Sequence, residues 1–230
     1  MDHSMMDMNS MSMGPMIFGF DLVSFLMILS GIVYFICALF LWKPFREEKN
    51  ELIGALFAFL TYQAVSMVFM GIEMHTMNLF YSNVASLAIF IGSVYMLKFP
   101  MSRLREKTRK VLFLIILATV ITLFIWFMQT EARQMQLMHF TLWYDLVING
   151  IIAGGSILLL GFMTSEKWLR LKAIGGGSGV VSCCVVANAT MLTGAMLTSS
   201  VFAFLAPVLI LGSLSLAKKQ QKTTPQPETV

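Results

Sequence analysis

Residues 17–43 read IFGFDLVSFLMILSGIVYFICALFLWK, an apolar run in which Asp21 is the only charged side chain before Lys43. The run holds about 25 residues, more than the roughly 20 needed to cross the hydrocarbon core as a helix. No basic segment precedes it and no small-residue cleavage site follows it, so it reads as a retained transmembrane span and not as a signal peptide.

The whole chain agrees with that stretch. It has 230 residues, 57% hydrophobic and 12% charged, and a mean hydropathy of +0.78, which places it in the integral membrane class. Six further runs of spanning length follow the first, Ile17–Trp42. They are Leu52–Met74, Asn78–Leu97, Val111–Met128, Phe140–Met163, Ala173–Gly194 and Ala195–Ala217. The expected fold is all-α: a polytopic integral membrane protein with seven transmembrane helices. The sixth run opens on the glycine-rich AIGGGSG and is parted from the seventh only by a turn near Gly194, so the two read as separate crossings or as one re-entrant hairpin. Three regions result: a Met-rich tail over 1–16, a seven-helix membrane domain over 17–217, and a polar, Pro-bearing tail over 218–230 with the composition of a disordered segment.

Charge sets the orientation. With seven spans, every one of the 16 Lys and Arg residues except Arg133 falls on one side, in the loops after Trp42, Leu97 and Met163 and after Ala217. The positive-inside rule places that side in the cytoplasm and the N-terminus outside, as expected of a multi-pass protein of the cell membrane. The basic pI of about 9.0 therefore reports topology and anionic lipid, with no nucleic-acid partner implied.

Methionine and histidine sort to the opposite face. His3, His75 and His139 all lie on the outer side. So do the tail methionines, Met70, Met74 and Met77 at the outer end of the second span, Met128, Met135 and Met138 around the loop after the fourth, and Met191 and Met196 at the last outer turn. The tail, MDHSMMDMNSMSMGPM, lists soft thioether donors suited to Cu(I): Met1, Met5, Met6, Met8, Met11 and Met13. At its start the amine of Met1, the next two backbone amides and the ring of His3, with Asp2 between, can enclose Cu(II) in a planar four-nitrogen site. Over these sixteen residues the tail resembles the extracellular N-terminus of eukaryotic Ctr-type copper transporters, which pairs an early MDH with clusters of the MxM and MMxM kind. The resemblance implies copper capture by His3 and the tail methionines.

Helical spacing defines two further clusters. Gln63, Met67, Met70, Met74 and Met77 recur at intervals of three and four, with Glu73 and His75 beside the mouth of the stripe. Met70 and Met74 resemble the MxxxM of a Ctr pore helix, although that family has three spans; the packing reading is a stripe of flexible core residues. The second cluster is Met128, Glu131, Met135, Met138 and His139, and its face continues through Leu142 to Asp145 and Asn149. Asp145 is informative because a carboxylate inside the membrane is costly unless paired, protonated or facing water. It can balance a metal cation, relay a proton, or hydrogen-bond His139 or Asn188 as a structural partner. Cys37, Cys183 and Cys184 fall within spans and read as small buried residues rather than a disulfide or zinc framework. Gly150 with Gly154, and Gly175 with Gly179, have the spacing of close helix contacts, and Pro207 should kink the seventh span or free a carbonyl.

Nucleotide-binding and hydrolase motifs are absent, so no enzyme is expected. A rhodopsin is disfavoured because no Lys lies between Ala173 and Ala217 to carry retinal. The leading expectation is a copper-binding membrane protein that captures copper outside and transports it, or delivers it to a membrane cuproenzyme. Its partners would be lipid, copper ion and a neighbouring cuproenzyme or a homo-oligomer. The alternatives are a haem-bearing redox or sensor subunit ligated by His75 and His139, and a proton or cation transporter working through Asp145.

Overall fold

The computed structural model describes residues 16–223, in which seven helices are long and apolar enough to cross a membrane. Strands β1 (Met16–Ile17) and β2 (Phe20–Asp21) form a small antiparallel hairpin turned by Phe18 and Gly19, both at positive φ. The first span consequently starts at Leu22, not Ile17: the apolar FGF segment is spent on the hairpin. Helix α1 (Leu22–Glu48) is capped by Asp21, whose carboxylate accepts from the amide and the hydroxyl of Ser24. Partial burial opposes the charged form of Asp21. The Ser24 bonds and the amides of Val23 and Asp21 outweigh it and hold this carboxyl below its ordinary value.

Helices α2 (Glu51–Thr76) and α3 (Leu79–Met96) follow through two-residue connections of one design. In each, a left-handed residue, Lys49 or Met77, closes one helix, and an asparagine, Asn50 or Asn78, caps the next through its side chain. After a 3₁₀ turn at Pro100–Arg103 comes α4 (Glu106–Met128). Helix α5 begins at Glu131, capped by Thr130, so most of the expected outer loop QTEARQMQLMH is helical. It runs to Met163 as α-helix over Glu131–Asp145, π-helix over Leu146–Gly154 and α-helix over Gly155–Met163. Helix α6 is built the same way, α-helical over Lys167–Val181, π-helical over Ser182–Ala187 and α-helical over Asn188–Leu192. The glycine-rich stretch is thus helical, and the span through it, Leu169–Leu192, has the lowest mean hydropathy of the seven, 1.4. Gly194, at φ +82, turns the chain into α7 (Met196–Thr223).

Contacts run α1 to α2, α2 to α3, α3 to α5, α5 to α6, α6 to α7 and α7 back to α1, closing a ring of six helices. Helix α4 leans on α3 and α5 from outside, and only 11% of its apolar window is buried. Glycines set the spacing on the α5–α6–α7 side. A Cβ at Gly150 would meet Val185 Cγ2 at 2.4 Å, and one at Gly179 would meet Ile210 Cγ1 at 2.5 Å and the Ala206 carbonyl at 2.8 Å. Both expected glycine pairs are therefore close helix contacts, α5 on α6 and α6 on α7. Pro207 stays inside α7 and, lacking an N–H, cannot bond the carbonyl four residues back, at Ala203. The Ser30 hydroxyl of α1 donates to that carbonyl at 2.8 Å. One turn on, the Cys37 thiol faces the Pro207 carbonyl at 3.4 Å.

Candidate functional site: a buried polar core around Asp145

Within the ring, beside a large apolar core, several polar side chains meet around Asp145. Asp145 ends the α-helical part of α5 just before its π-helical segment, and is 1% exposed. Asn149, four residues on, lies on the same face; its amide nitrogen donates to Asp145 Oδ1 and, at 2.7 Å, to Ser93 Oγ of α3. From α6, Asn188 Nδ2 donates to Asp145 Oδ2 at 2.7 Å. Both carboxylate oxygens are therefore satisfied by amides from two helices. The Cys184 thiol lies against the same carboxylate. Gln63 Nε2 of α2 reaches Cys183 Sγ at 3.3 Å, and the buried Tyr34 of α1 sits beside Cys183. Helices α3, α5 and α6 thus share one hydrogen-bonded network, and α2 and α1 pack beside it through Gln63 and Tyr34 on Cys183.

Two features set this core apart from ordinary packing. Among the described residues no Lys, Arg or His forms an ion pair with Asp145, whose oxygens are met instead by the two amides and the Cys184 thiol. The π-helical segments of α5 and α6 also face each other here, Gly150 packing on Cys184 and Val185. A π-segment interrupts the regular i→i−4 ladder and recurs at functional sites, because it re-aims the side chains of one turn. In addition, Asn149 Oδ1 and the Tyr34 hydroxyl are buried without a hydrogen-bond partner in the protein.

The expected metal ligands separate. Met70 of α2, buried and receiving the Ser66 hydroxyl at 3.7 Å, packs with Ala85, Ile89 and Leu142; Met138 of α5 and Met191 of α6 close the same cluster. Three thioethers from three helices thus gather close to the polar core, near Leu142, which lies one turn before Asp145. Met74 packs instead with the main core, and Glu73 is half-buried. His75 is exposed and packs against Phe20 of the hairpin, ring centroids 4.7 Å apart and planes tilted by 51°. Met77 is 79% and Met135 67% exposed, and His139 is also exposed. No group of three or more His, Cys, Asp or Glu among the described residues could hold a metal ion. Met1, Asp2, His3, Met5, Met6, Met8, Met11 and Met13 lie outside the described residues.

Of the alternatives raised for Asp145, Asn188 is its structural partner and Asn149 joins it, whereas no hydrogen bond links it to His139. Sequence reasoning missed Tyr34 and Ser93. The available signal was position: Ser93 shares a helical face with Ser82 and Ser86, and Tyr34 sits in mid-span. A cleft of about 390 Å3 lined by Trp42, Lys43, Arg46 and Glu47 lies at the basic end of α1; built from a single helix, it has no bearing on this core. Compared with protein-family models, curated proteins and solved structures, the chain finds no match.

Proposed function

We propose that this chain is a cation-handling multi-pass protein of the cell membrane whose working group is Asp145, and that copper gathered by the Met- and His-bearing tail is its cargo. The observation that carries the reading is the bonding of Asp145: a buried carboxylate held by Asn149 and Asn188, without a basic partner, at the start of one of two facing π-segments. An intramembrane ionisable group of this kind is a functional-site hypothesis by default. The choice of copper rests on the donor chemistry around it. Met70, Met138 and Met191 pack around Leu142, one turn before Asp145, and their thioethers, with the Cys184 thiol beside that carboxylate, are soft donors of the kind that suits Cu(I). On this account copper is taken up outside by Met1, His3 and the tail methionines, passes the Met70 cluster, and either crosses the membrane or is handed to a neighbouring cuproenzyme.

The test is Cu(I) affinity of the detergent-purified chain by competition with a chromophoric chelator, for the full-length protein, a form lacking residues 1–16, and Met70→Ala with Met138→Ala. Copper held after truncation and lost in the double variant supports a site among the helices; no copper in any form removes copper from the account. A second reading, proton or cation transport without metal, is favoured by the fact that the carboxylate oxygens are held by amides. It predicts transport abolished in Asp145→Asn yet intact without residues 1–16.

A further inference from the structure

Helix α3 places Ser82, Ser86 and Ser93 on one face, with Asn83 beside them, and all four are nearly or fully buried. Ser93 belongs to the Asp145 network through Asn149. At the other end of the row, near the start of α3, Asn83 Nδ2 reaches Gln134 Oε1 of α5 at 3.4 Å. Between Ser82 and Ser93 the helix rises about 16 Å. Along this line three buried atoms have no protein hydrogen-bond partner: Asn83 Oδ1, Ser86 Oγ and Asn149 Oδ1. An unpaired buried polar atom costs about 1–3 kcal/mol, and internal water is the usual means of satisfying one. Two of these atoms belong to α3 and the third, Asn149 Oδ1, to the residue that bonds the buried carboxylate. Ile89, on the same face between Ser86 and Ser93, interrupts the line by packing with Met70, Ala85 and Leu142.

We propose that the serine face of α3 is the path by which water, and with it protons, reaches Asp145 from the end of the bundle that carries His75, and that Met70, Ile89 and Leu142 form its apolar gate. The assignment rests on the reading of Asp145 as the working group. It extends that reading by giving the site one open side and a named constriction.

The experiment is thiol accessibility in sealed proteoliposomes of the full chain, using a membrane-impermeant methanethiosulfonate, with Ser86→Cys and Ser93→Cys compared with the parent and its native Cys37, Cys183 and Cys184. Ser86→Cys should react at least about tenfold faster than the buried native thiols. Ser93→Cys should match it only when Leu142→Ala is added. Labelling of Ser86→Cys no faster than the parent overturns the path, and equal labelling of Ser93→Cys with Leu142 intact overturns the gate. Since a thiol can disturb packing, Ser86→Ala supplies an independent reading: thermal stability falls if the hydroxyl holds water and rises if it is merely unpaired. Labelling does not depend on copper binding or on transport by the Asp145→Asn variant, so failure of the path and failure of the Asp145 reading are distinguishable.

Discussion

Asp145 is held by two donors that are not equivalent. Asn149 shares its own helix and also ties α3, whereas Asn188 brings in α6. Removing either amide leaves one carboxylate oxygen unpaired in the interior. Asn149→Ala and Asn188→Ala should each lower stability by about 1–3 kcal/mol in thermal unfolding, and by analogy with outer-shell partners of metal sites weaken Cu(I) affinity about 10- to 100-fold. Stability lost with affinity unchanged would assign them a structural role alone. Asp21 offers a cleaner titration, being outside the spans. Its folded carboxyl sits below the ordinary 3.8, so its capping stabilisation is complete above that value and is lost as pH falls through the lower folded value. Asp21→Ala should destabilise α1 by about 1 kcal/mol near neutral pH, and the gap to the parent should narrow as pH falls below 3.8. A gap that stays constant would contradict the cap. The Asp145–Asn149 pair was legible as an i, i+4 spacing; Tyr34 and Ser93 were not, because an uncharged residue in an apolar run gives no sign of which neighbour it will meet.

Helices were legible where hydropathy alone decides. The seven spans and the short connections follow from apolar length and from Lys49–Asn50 and Met77–Asn78, which carry their own capping chemistry. All of the hairpin but Met16 falls within the first span expected from sequence, Ile17–Trp42, because its residues are as apolar as those that follow; the turn at Gly19 is the discriminating feature. The π-segments had no legible signal, since the shift from i→i−4 to i→i−5 bonding is set by packing between α5 and α6. The freed carbonyl of α7 shows how a sequence-level expectation becomes a specific contact. Pro207 strands the Ala203 carbonyl and Ser30 satisfies it. Ser30→Ala should therefore cost about 1–3 kcal/mol alone, and much less in a Pro207→Ala background, where the restored N–H can bond that carbonyl. Additive effects in the double-mutant cycle would remove the link. At the α5–α6 contact, Gly150→Leu should cost several kcal/mol or prevent folding, with a Cβ already 2.4 Å from Val185 Cγ2. Gly155→Ala, whose Cβ would meet nothing within 4 Å, should be near neutral in the same assay.

Across the whole molecule, three layers of chemistry lie in series. The hairpin joins the Met-rich tail to the His75 end of α2 through the Phe20–His75 contact. The Met70, Met138 and Met191 cluster comes next, and the amide- and thiol-lined carboxylate lies behind it. The meeting of α3, α5 and α6 at one carboxylate was not readable, since it depends on a ring order in which α3 packs on α5 and α4 stands outside. On the proposed reading this carboxylate is needed to hold the cargo. Cu(I) stoichiometry and affinity in the form lacking residues 1–16, by chelator competition with elemental analysis, then compare Asp145 with Asp145→Asn in samples of equal thermal stability. Copper is expected on the parent form, with affinity weakened at least about tenfold in Asp145→Asn. Equal binding by the two forms, or no binding by the parent, would contradict that reading.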